Sequence, residues 1–312
     1  MVGSSYHDPV LLHEALDFLL TDASQVYVDG TLGGGGHAEA ICRRLAGAGR
    51  LVCFDMDEDA IRSARGRLES FRDRVTFVHS NFVGLSAELR ALRIDAIAGL
   101  LLDLGVSSYQ LDAPSRGFSF RTDEPLDMRM DRRGATTAGT LVNNSDEKTL
   151  GELIRTFGEE RNYKRIARRI VAARPITTTG GLASAVEEAS GQRFLAKTLA
   201  RVFQAIRIEV NGELRNLERV LDEAMAVLMP GGRLVVVSYH SLEDRMVKDF
   251  FRREAAASVP SGHKYVPDTV RVPRLRILTK KPVGPSAGEV AGNPRAQSAK
   301  LRAAERLADG AG

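Results

Sequence analysis

The sequence predicts an α/β fold in which a doubly wound, largely parallel sheet carries helices on both faces. Short apolar runs alternate with amphipathic helical patterns from residue 26 onward, an order typical of such sheets. The run over residues 96–102 is apolar throughout, as expected for a central parallel strand. Several runs lead into an acidic or amide residue, namely Asp29, Asp55, Asn81 and Asp103. Because ligands bind beyond the carboxyl ends of parallel strands, these side chains should converge on one crevice.

The first third of the chain supplies most of the predicted sheet. In order, we expect a lead-in helix at 9–19, a strand at 26–29, a helix at 38–45, a strand at 51–55, a helix at 58–70, and strands at 75–78 and 96–103. The next strand, at 233–238, comes much later than an ordinary crossover requires. The sequence therefore predicts an insertion.

We expect the insertion to be a helical subdomain at 112–208, between core segments 1–111 and 209–312. It begins with a loop-like stretch at 113–130 and continues with helices near 146–157, 162–174 and 182–189. A helical pattern at 198–228, broken near Asn211-Gly212, returns the chain to the core. A helix at 242–253 and a strand at 274–279 follow, then a flexible link at 282–294 and a basic tail at 295–307.

Composition and charge narrow the class of protein. The chain has 312 residues, of which 43% are hydrophobic and 27% charged, as is ordinary for a globular protein. No run approaches the roughly 18 apolar residues of a membrane span, and no signal-peptide pattern is visible. The two cysteines, Cys42 and Cys53, have no metal-ligand spacing. These features predict a cytoplasmic protein with no membrane association and no metal.

Basic residues cluster in two places. Residues 155–174 contain seven Lys or Arg and two acidic residues. Residues 271–306 contain nine Lys or Arg and two acidic residues. Such clustering favours a polyanion partner such as nucleic acid, although solvated helix faces explain either cluster equally well.

A glycine cluster after the first strand predicts a nucleoside-containing cofactor. Residues 33–38 satisfy the G-x-G-x-x-[GA] pattern of dinucleotide binders, while Asp29, Gly33 and Gly35 satisfy the acid-x-x-x-G-x-G pattern of methyltransferases. A purely structural turn is a third interpretation. Asp55 lies about 20 residues beyond the glycines, where an acid suits the two hydroxyls of a ribose.

Two polar residues at strand ends are candidates for chemistry. Asp103 follows the fourth strand, where its carboxylate could accept a hydrogen bond from an exocyclic amine, contact the cofactor or cap a turn. His240 follows the fifth strand and could act as a base or contact a substrate. Ser241-x-x-Asp244, directly after it, resembles a helix capping box.

Aromatic residues near these positions could stack on an unpaired base. Tyr239 is one, and the segment Arg116–Arg121 supplies Phe118 and Phe120 beside two cations. The two phenylalanines could equally anchor their loop to the core.

Several long strings together resemble the bacterial RsmH (MraW) family. They are His7-Asp8-Pro9-Val10-Leu11, Asp29 to His37, Asp103 to Ser108, Arg116 to Phe120, Pro125 to Met130, Phe203 to Ile208 and His240 to Arg245. The resemblance implies a Rossmann-like, S-adenosylmethionine-dependent methyltransferase that modifies N4 of a cytidine in the decoding region of 16S ribosomal RNA. It also implies cofactor contacts from Gly35, Gly36, His37, Asp55, Phe82, Asp103 and Gln110, to which the glycine pattern adds Asp29, Gly33 and Gly34.

We therefore expect direct methyl transfer to the amine, with Asp103 orienting it and His240 in a secondary role. No Pro-Cys nucleophile is present for attack on the pyrimidine ring. Asp103 is followed by Leu-Gly-Val rather than by two prolines and an aromatic, so Tyr109, Phe118, Phe120 or Tyr239 would have to stack on the base. The expected partner is small-subunit ribosomal RNA within an assembled or nearly assembled subunit, and the chain could form a homodimer. The rival interpretations are an NAD-linked oxidoreductase and a non-catalytic RNA-binding assembly factor.

Overall fold

The computed structural model describes residues 9–107, 110–111, 115–191, 194–259, 261–263 and 267–308. The chain divides into two compact units, Met1–Gly105 with Arg215–Gly312, and Val106–Leu214. The predicted insert lies within the second unit. Among the described residues, none of the helices combines the length and apolar character needed to cross a membrane.

A seven-stranded sheet organises the first unit. Numbered along the chain, and including two strands outside this sheet, the described strands are β1 (Val26–Asp29), β2 (Arg50–Asp55), β3 (Val75–His79), β4 (Ile97–Asp103), β5 (Leu228–Ser238), β6 (Ser258–Val259), β7 (Thr269–Val270), β8 (Leu275–Ile277) and β9 (Lys300–Arg306). The sheet order is β3-β2-β1-β4-β5-β9-β8, with β6 and β7 forming a separate ribbon. Strands β1 to β5 run parallel, and β9 is antiparallel to both its neighbours. The predicted doubly wound parallel sheet is confirmed, and its order reverses between β1 and β4.

The predicted helices are found close to their expected positions, whereas those at Leu85–Ala91, Ala138–Asn144 and Ala287–Gly292 were not predicted. The described helices are α1 (Leu12–Leu19), α2 (Gly36–Arg44), α3 (Glu58–Arg67), α4 (Leu85–Ala91), α5 (Ala138–Asn144), α6 (Glu147–Gly158), α7 (Tyr163–Ala172), α8 (Thr179–Ala189), α9 (Leu195–Asn211), α10 (Glu213–Val227), α11 (Ser241–Glu254) and α12 (Ala287–Gly292). The predicted break between α9 and α10 occurs at Gly212, whose φ of 61° suits glycine best.

Side chains alternate between two apolar layers, one on each face of the sheet. Tyr27 lies in the layer that includes residues of α1 and α2, whereas its neighbour Val28 lies in the layer formed with α4, α10 and α11. The Tyr27 hydroxyl accepts from the backbone N–H groups of Thr21 and Asp22 and donates to the Asp22 carbonyl. This buried phenol fixes the turn that leads from α1 into β1.

The second unit contains α5 to α9 and a long loop clamped by polar side chains. The amide of Asn211 accepts from Met130 N and donates to the Met128 carbonyl. The guanidinium of Arg116 donates to the carbonyls of Arg129 and Met130. The string from Pro125 to Met130 is therefore held by side chains from both of its flanks.

The predicted flexible link and basic tail are wrong. Residues 287–292 form α12, and Lys300–Arg306 form β9, which lies between β5 and β8. Arg302 is only 7% exposed and donates to Asp244, which also pairs with Lys300. Buried ion pairs let a charged sequence form an interior strand, so its charge concealed its structure.

Candidate active site

Three aspartates lie at the carboxyl ends of adjacent strands. Asp29 ends β1, Asp55 ends β2 and Asp103 ends β4. Burial raises the pKa of Asp29 and Asp55 to about 6 and the pKa of Asp103 to about 7. Strongly perturbed carboxyl groups at a sheet's switch point are typical of a functional site. The structure thus supports the predicted crevice.

The glycine loop is shaped by its own hydrogen bonds. Gly33 N donates to Asp55 Oδ2 at 2.8 Å, and Gly35 N donates to the Leu32 carbonyl at 2.8 Å. The N–H groups of these two glycines are therefore engaged within the chain, and their cofactor contacts stay predictions. Gly35, at φ 76°, precedes α2, and a Cβ there would come within 3.1 Å of Ala64 Cβ. Gly34 shares the turn with Gly33, and Gly36 is the first residue of α2.

Asp29 presents an oxygen with no hydrogen bond from the described residues. Its Oδ1 accepts from Thr31 N at 3.1 Å, while its Oδ2 is buried and lacks such a partner. Buried polar atoms are nearly always hydrogen-bonded, so this oxygen points to a donor or cation that the described residues do not supply. Asp55, by contrast, already accepts from the backbone N–H groups of Gly33, Met56 and Asp57.

Asp103 is held by side chains from two other elements. The Tyr239 hydroxyl donates to Oδ1 at 2.9 Å. Nδ1 of His37 lies 3.5 Å from Oδ2, and the other ring nitrogen, Nε2, lies 3.2 Å from the Val10 carbonyl oxygen. The Asp103 side chain keeps 23% of its surface exposed, so a ligand can still reach it.

Sequence reasoning did not link Tyr239 or His37 to Asp103. A signal existed for Tyr239, because β5 should lie beside β4 and their ends then meet. The register confirms it, since Asp103 pairs with Val237, two residues before Tyr239.

Comparison with known proteins identifies the family. Residues 4–307 match the MraW methylase family. A relative from Carboxydothermus hydrogenoformans, named ribosomal RNA small subunit methyltransferase H, is 49% identical over 96% of this chain and 98% of its own. A relative of the same name from Kosmotoga olearia is 46% identical over 96% of this chain and 97% of its own.

This chain belongs to the MraW methylase family. The resemblance drawn from its sequence is confirmed, and with it S-adenosylmethionine as the expected cofactor. The oxidoreductase interpretation of the glycine loop is therefore rejected. A solved rRNA methylase from Streptococcus thermophilus covers 99% of both chains, but its TM-score of 0.42 and identity of 12% are too low to support an argument.

His240, in the family string that follows β5, caps a helix. It is the N-cap of α11, where Nδ1 accepts from Glu243 N and Nε2 lies 3.2 Å from Glu243 Oε1. The predicted capping box at Ser241 and Asp244 is wrong by one residue, because His240 and Glu243 form it. Asp244 instead pairs with Arg302 and Lys300. The secondary catalytic role of His240 stays a prediction.

The aromatic segment of the MraW chain anchors its own loop. Phe118 is 7% exposed, and Phe120 packs edge-on against Phe203 with ring centroids 5.3 Å apart. Arg116 is 2% exposed and binds backbone carbonyls, so its side chain supports the loop itself. The anchoring interpretation is favoured for all three residues.

The remaining predicted residues are placed as follows. Phe82 is half-buried at the start of a 3-10 helix after β3. Gln110, in the second unit, is 5% exposed, and its Oε1 accepts from Ser107 N at 3.1 Å. Tyr109 lies outside the described residues, as do His7 and Asp8, the first two residues of the string that ends at Leu11.

Proposed function

We propose that this protein transfers a methyl group from S-adenosylmethionine to N4 of a cytidine in the decoding region of 16S ribosomal RNA. Its relatives bear the name of a small-subunit ribosomal RNA methyltransferase. The observation that favours an amine as the methyl acceptor is the position of Asp103. Its carboxyl lies at the switch point of the sheet, and Tyr239 binds one of its oxygens. An acceptor there can hold an amine N–H while the nitrogen lone pair meets the methyl group.

The chain's residues fit the methyl donor, which supplies an electrophilic methyl group on a positively charged sulfur. The donor also carries an ammonium group and two ribose hydroxyls. Oδ2 of Asp29, which has no partner among the described residues, suits a cation or a donor group, and the carboxylate of Asp55 suits the hydroxyls. Gly34, Gly36 and the backbone N–H of His37, around the start of α2, would hold the methionine end, since a helix N-terminus favours a carboxylate. Phe82 would contact adenine, and a cofactor contact from Gln110 stays a prediction.

The cysteines support direct transfer rather than covalent attack on the base. Cys42 and Cys53 are 2% and 0% exposed, within the apolar layer that includes α1 and α2. Burial raises the pKa of Cys42 to about 12 and that of Cys53 well above its usual value. Neither thiol is therefore available as the thiolate that addition to the pyrimidine ring requires.

We further propose that the second unit recognises RNA through α7. Lys164, Arg165 and Arg168 are exposed on this helix, and Arg161 is exposed just before it. The ion pair of Arg168 with Glu147, at 3.6 Å, is a surface pair that a phosphate can replace at little cost. The other basic cluster supports this role less, because Arg271 and Arg274 pair with Glu254 and Arg302 pairs with Asp244. An assembled or nearly assembled subunit stays the proposed substrate, and a homodimer stays a prediction.

Deletion and complementation in cells test this function. Ribosomal RNA from a strain lacking the protein should contain no N4-methylcytidine in the decoding region, and expression of the wild-type chain should restore it. Asp103→Ala should not restore it, although it folds and accumulates. Lys164→Glu with Arg168→Glu should restore less, with Arg62→Glu as an exposed control on α3.

The outcomes separate the alternatives. Unchanged N4-methylcytidine in the deletion strain would contradict the proposed reaction. Restoration of subunit assembly by Asp103→Ala without methylation would favour the non-catalytic assembly factor.

A further inference from the structure

The ring of His37 has a defined tautomer. Its Nε2 lies 3.2 Å from the carbonyl oxygen of Val10, and because a carbonyl only accepts hydrogen bonds, Nε2 carries a proton. In the neutral ring, Nδ1 is then an acceptor. Nδ1 lies 3.5 Å from Asp103 Oδ2, which is also an acceptor when the carboxyl is ionised. Two such atoms repel each other unless one of them holds a proton.

The other oxygen of Asp103 has its own donor. Tyr239 donates to Oδ1 at 2.9 Å, and burial beside Asp103 raises the pKa of this phenol well above its usual value, so the hydroxyl keeps its proton. Any exchangeable proton of Asp103 therefore lies on the side of His37.

Among the described residues, the charged groups that act on this pair are acidic. They are Asp29 at the end of β1, Glu243 on α11 and Glu289 on α12. Their charges favour a protonated pair, and burial of Asp103, which raises its pKa to about 7, acts in the same direction. A ligand that brings positive charge into this site would favour loss of the proton.

We propose that His37 and Asp103 share one exchangeable proton, which the pair releases when a cationic methyl donor binds and regains from the cytosine amine during transfer. This inference rests on the proposed function and adds the fate of the proton. His37 is a positioning residue here, because it acts through Asp103.

The atoms and charges of the step balance. The lone pair of N4 forms the bond to the methyl carbon, and the carbon–sulfur bond breaks with its electron pair staying on sulfur. An N–H proton leaves N4 for the Asp103 carboxylate and is shared with Nδ1 of His37, while the electrons of that bond stay on N4. The positive charge lost from sulfur is replaced by a proton on the pair, so the net charge of the site is unchanged. Keeping that charge constant avoids a large electrostatic cost in a partly buried site.

Calorimetry measures the proposed proton directly. S-adenosylmethionine and S-adenosylhomocysteine, which lacks the sulfonium charge, are each titrated into the full chain at pH 6.5, in two buffers of different ionisation enthalpy. The difference in heat gives the protons exchanged. We expect the sulfonium ligand to release at least about half a proton more than its neutral counterpart, because its charge lowers the proton affinity of the pair.

Variants assign the proton to the pair. Asp103→Asn should abolish the difference between the two ligands. His37→Asn should shift the midpoint of release toward lower pH, since the carboxyl loses the ring nitrogen that stabilises its protonated form. His13→Asn, which replaces an exposed histidine on α1, should behave as the wild type.

Equal release with both ligands would overturn the proposal, as would an unchanged midpoint in folded His37→Asn. Should that variant fail to fold, nitrogen NMR of the wild-type ring decides. We expect a proton on Nε2 throughout and a titration at Nδ1 that Asp103→Asn displaces. A proton on Nδ1 with Nε2 unprotonated at pH 8 would contradict the proposal. Absence of S-adenosylmethionine binding would instead contradict the proposed function.

Discussion

Replacing Tyr239 with phenylalanine tests whether Asp103 must be ionised for activity. The hydroxyl donates to Asp103 Oδ1 at 2.9 Å. Burial raises the carboxyl pKa, and this bond lowers it in part, which leaves it at about 7. Hydrogen bonds to charged groups contribute about 1.5–3 kcal/mol. Because the carboxyl is partly exposed, we take the lower end, which corresponds to an increase of about one pKa unit.

The expected change appears in the pH dependence of kcat/KM, which reports groups of the free enzyme. The acidic limb should lie near pH 7 in the wild type, given the raised pKa of Asp103, and about one unit higher in Tyr239→Phe. At pH 7 the ionised fraction falls from about one half to about one tenth, so activity should fall about fivefold and recover near pH 9.

Tyr27→Phe is the matched control. Tyr27 is also a buried tyrosine whose hydroxyl is fully hydrogen-bonded, but its partners are backbone groups of Thr21 and Asp22. This variant should lower stability by about 2 kcal/mol without moving the pH profile. An acidic limb that stays in place or moves to lower pH in Tyr239→Phe would refute the role given to the ionised Asp103.

Three further predictions concern stability. Burial raises the pKa of Asp29 to about 6, so ionisation of this carboxyl opposes folding as pH rises from about 4 to 6. In chemical denaturation at pH 8, Asp29→Asn should therefore be more stable than wild type by about 3 kcal/mol, yet it should bind S-adenosylmethionine more weakly. Burial opposes ionisation of Glu254, but the surrounding arginines outweigh it and hold the pKa of that carboxyl below its usual value. Its contribution to stability therefore exists at neutral pH and is lost in acid, so Glu254→Gln should cost about 2 kcal/mol at pH 7 and less as the pH falls. Ending the chain at Ser298 should unfold the first unit, as circular dichroism would show, whereas loss of a disordered tail would leave it folded.

The sheet and the crevice could be predicted because their signals are local. Apolar runs that end in Asp29, Asp55 and Asp103 are visible in sequence, and the parallel arrangement then brings those ends together. The link between Asp103 and Tyr239 could not be predicted in the same way, since the two residues are 136 positions apart and their contact depends on strand order.

Elements at the end of the chain were misinterpreted because charge concealed burial. Strand β9 places Arg302 and Glu305 in the interior, where Asp244, Arg233 and Arg276 neutralise them. A pattern based on hydrophobicity alone classifies such a strand as solvated. The capping box was misplaced for a related reason, since histidine is not among the usual N-cap residues and only its contact with Glu243 reveals the role.

The most direct test of the account is reconstitution with purified components and a deuterated methyl donor. Small subunits from cells lacking the protein are incubated with the wild-type chain, and the nucleosides of the digested RNA are identified by chromatography and mass spectrometry. We predict labelled N4-methylcytidine, with none formed by Asp103→Ala even when it binds the donor. Label on C5 of the base or on the ribose would contradict the central claim.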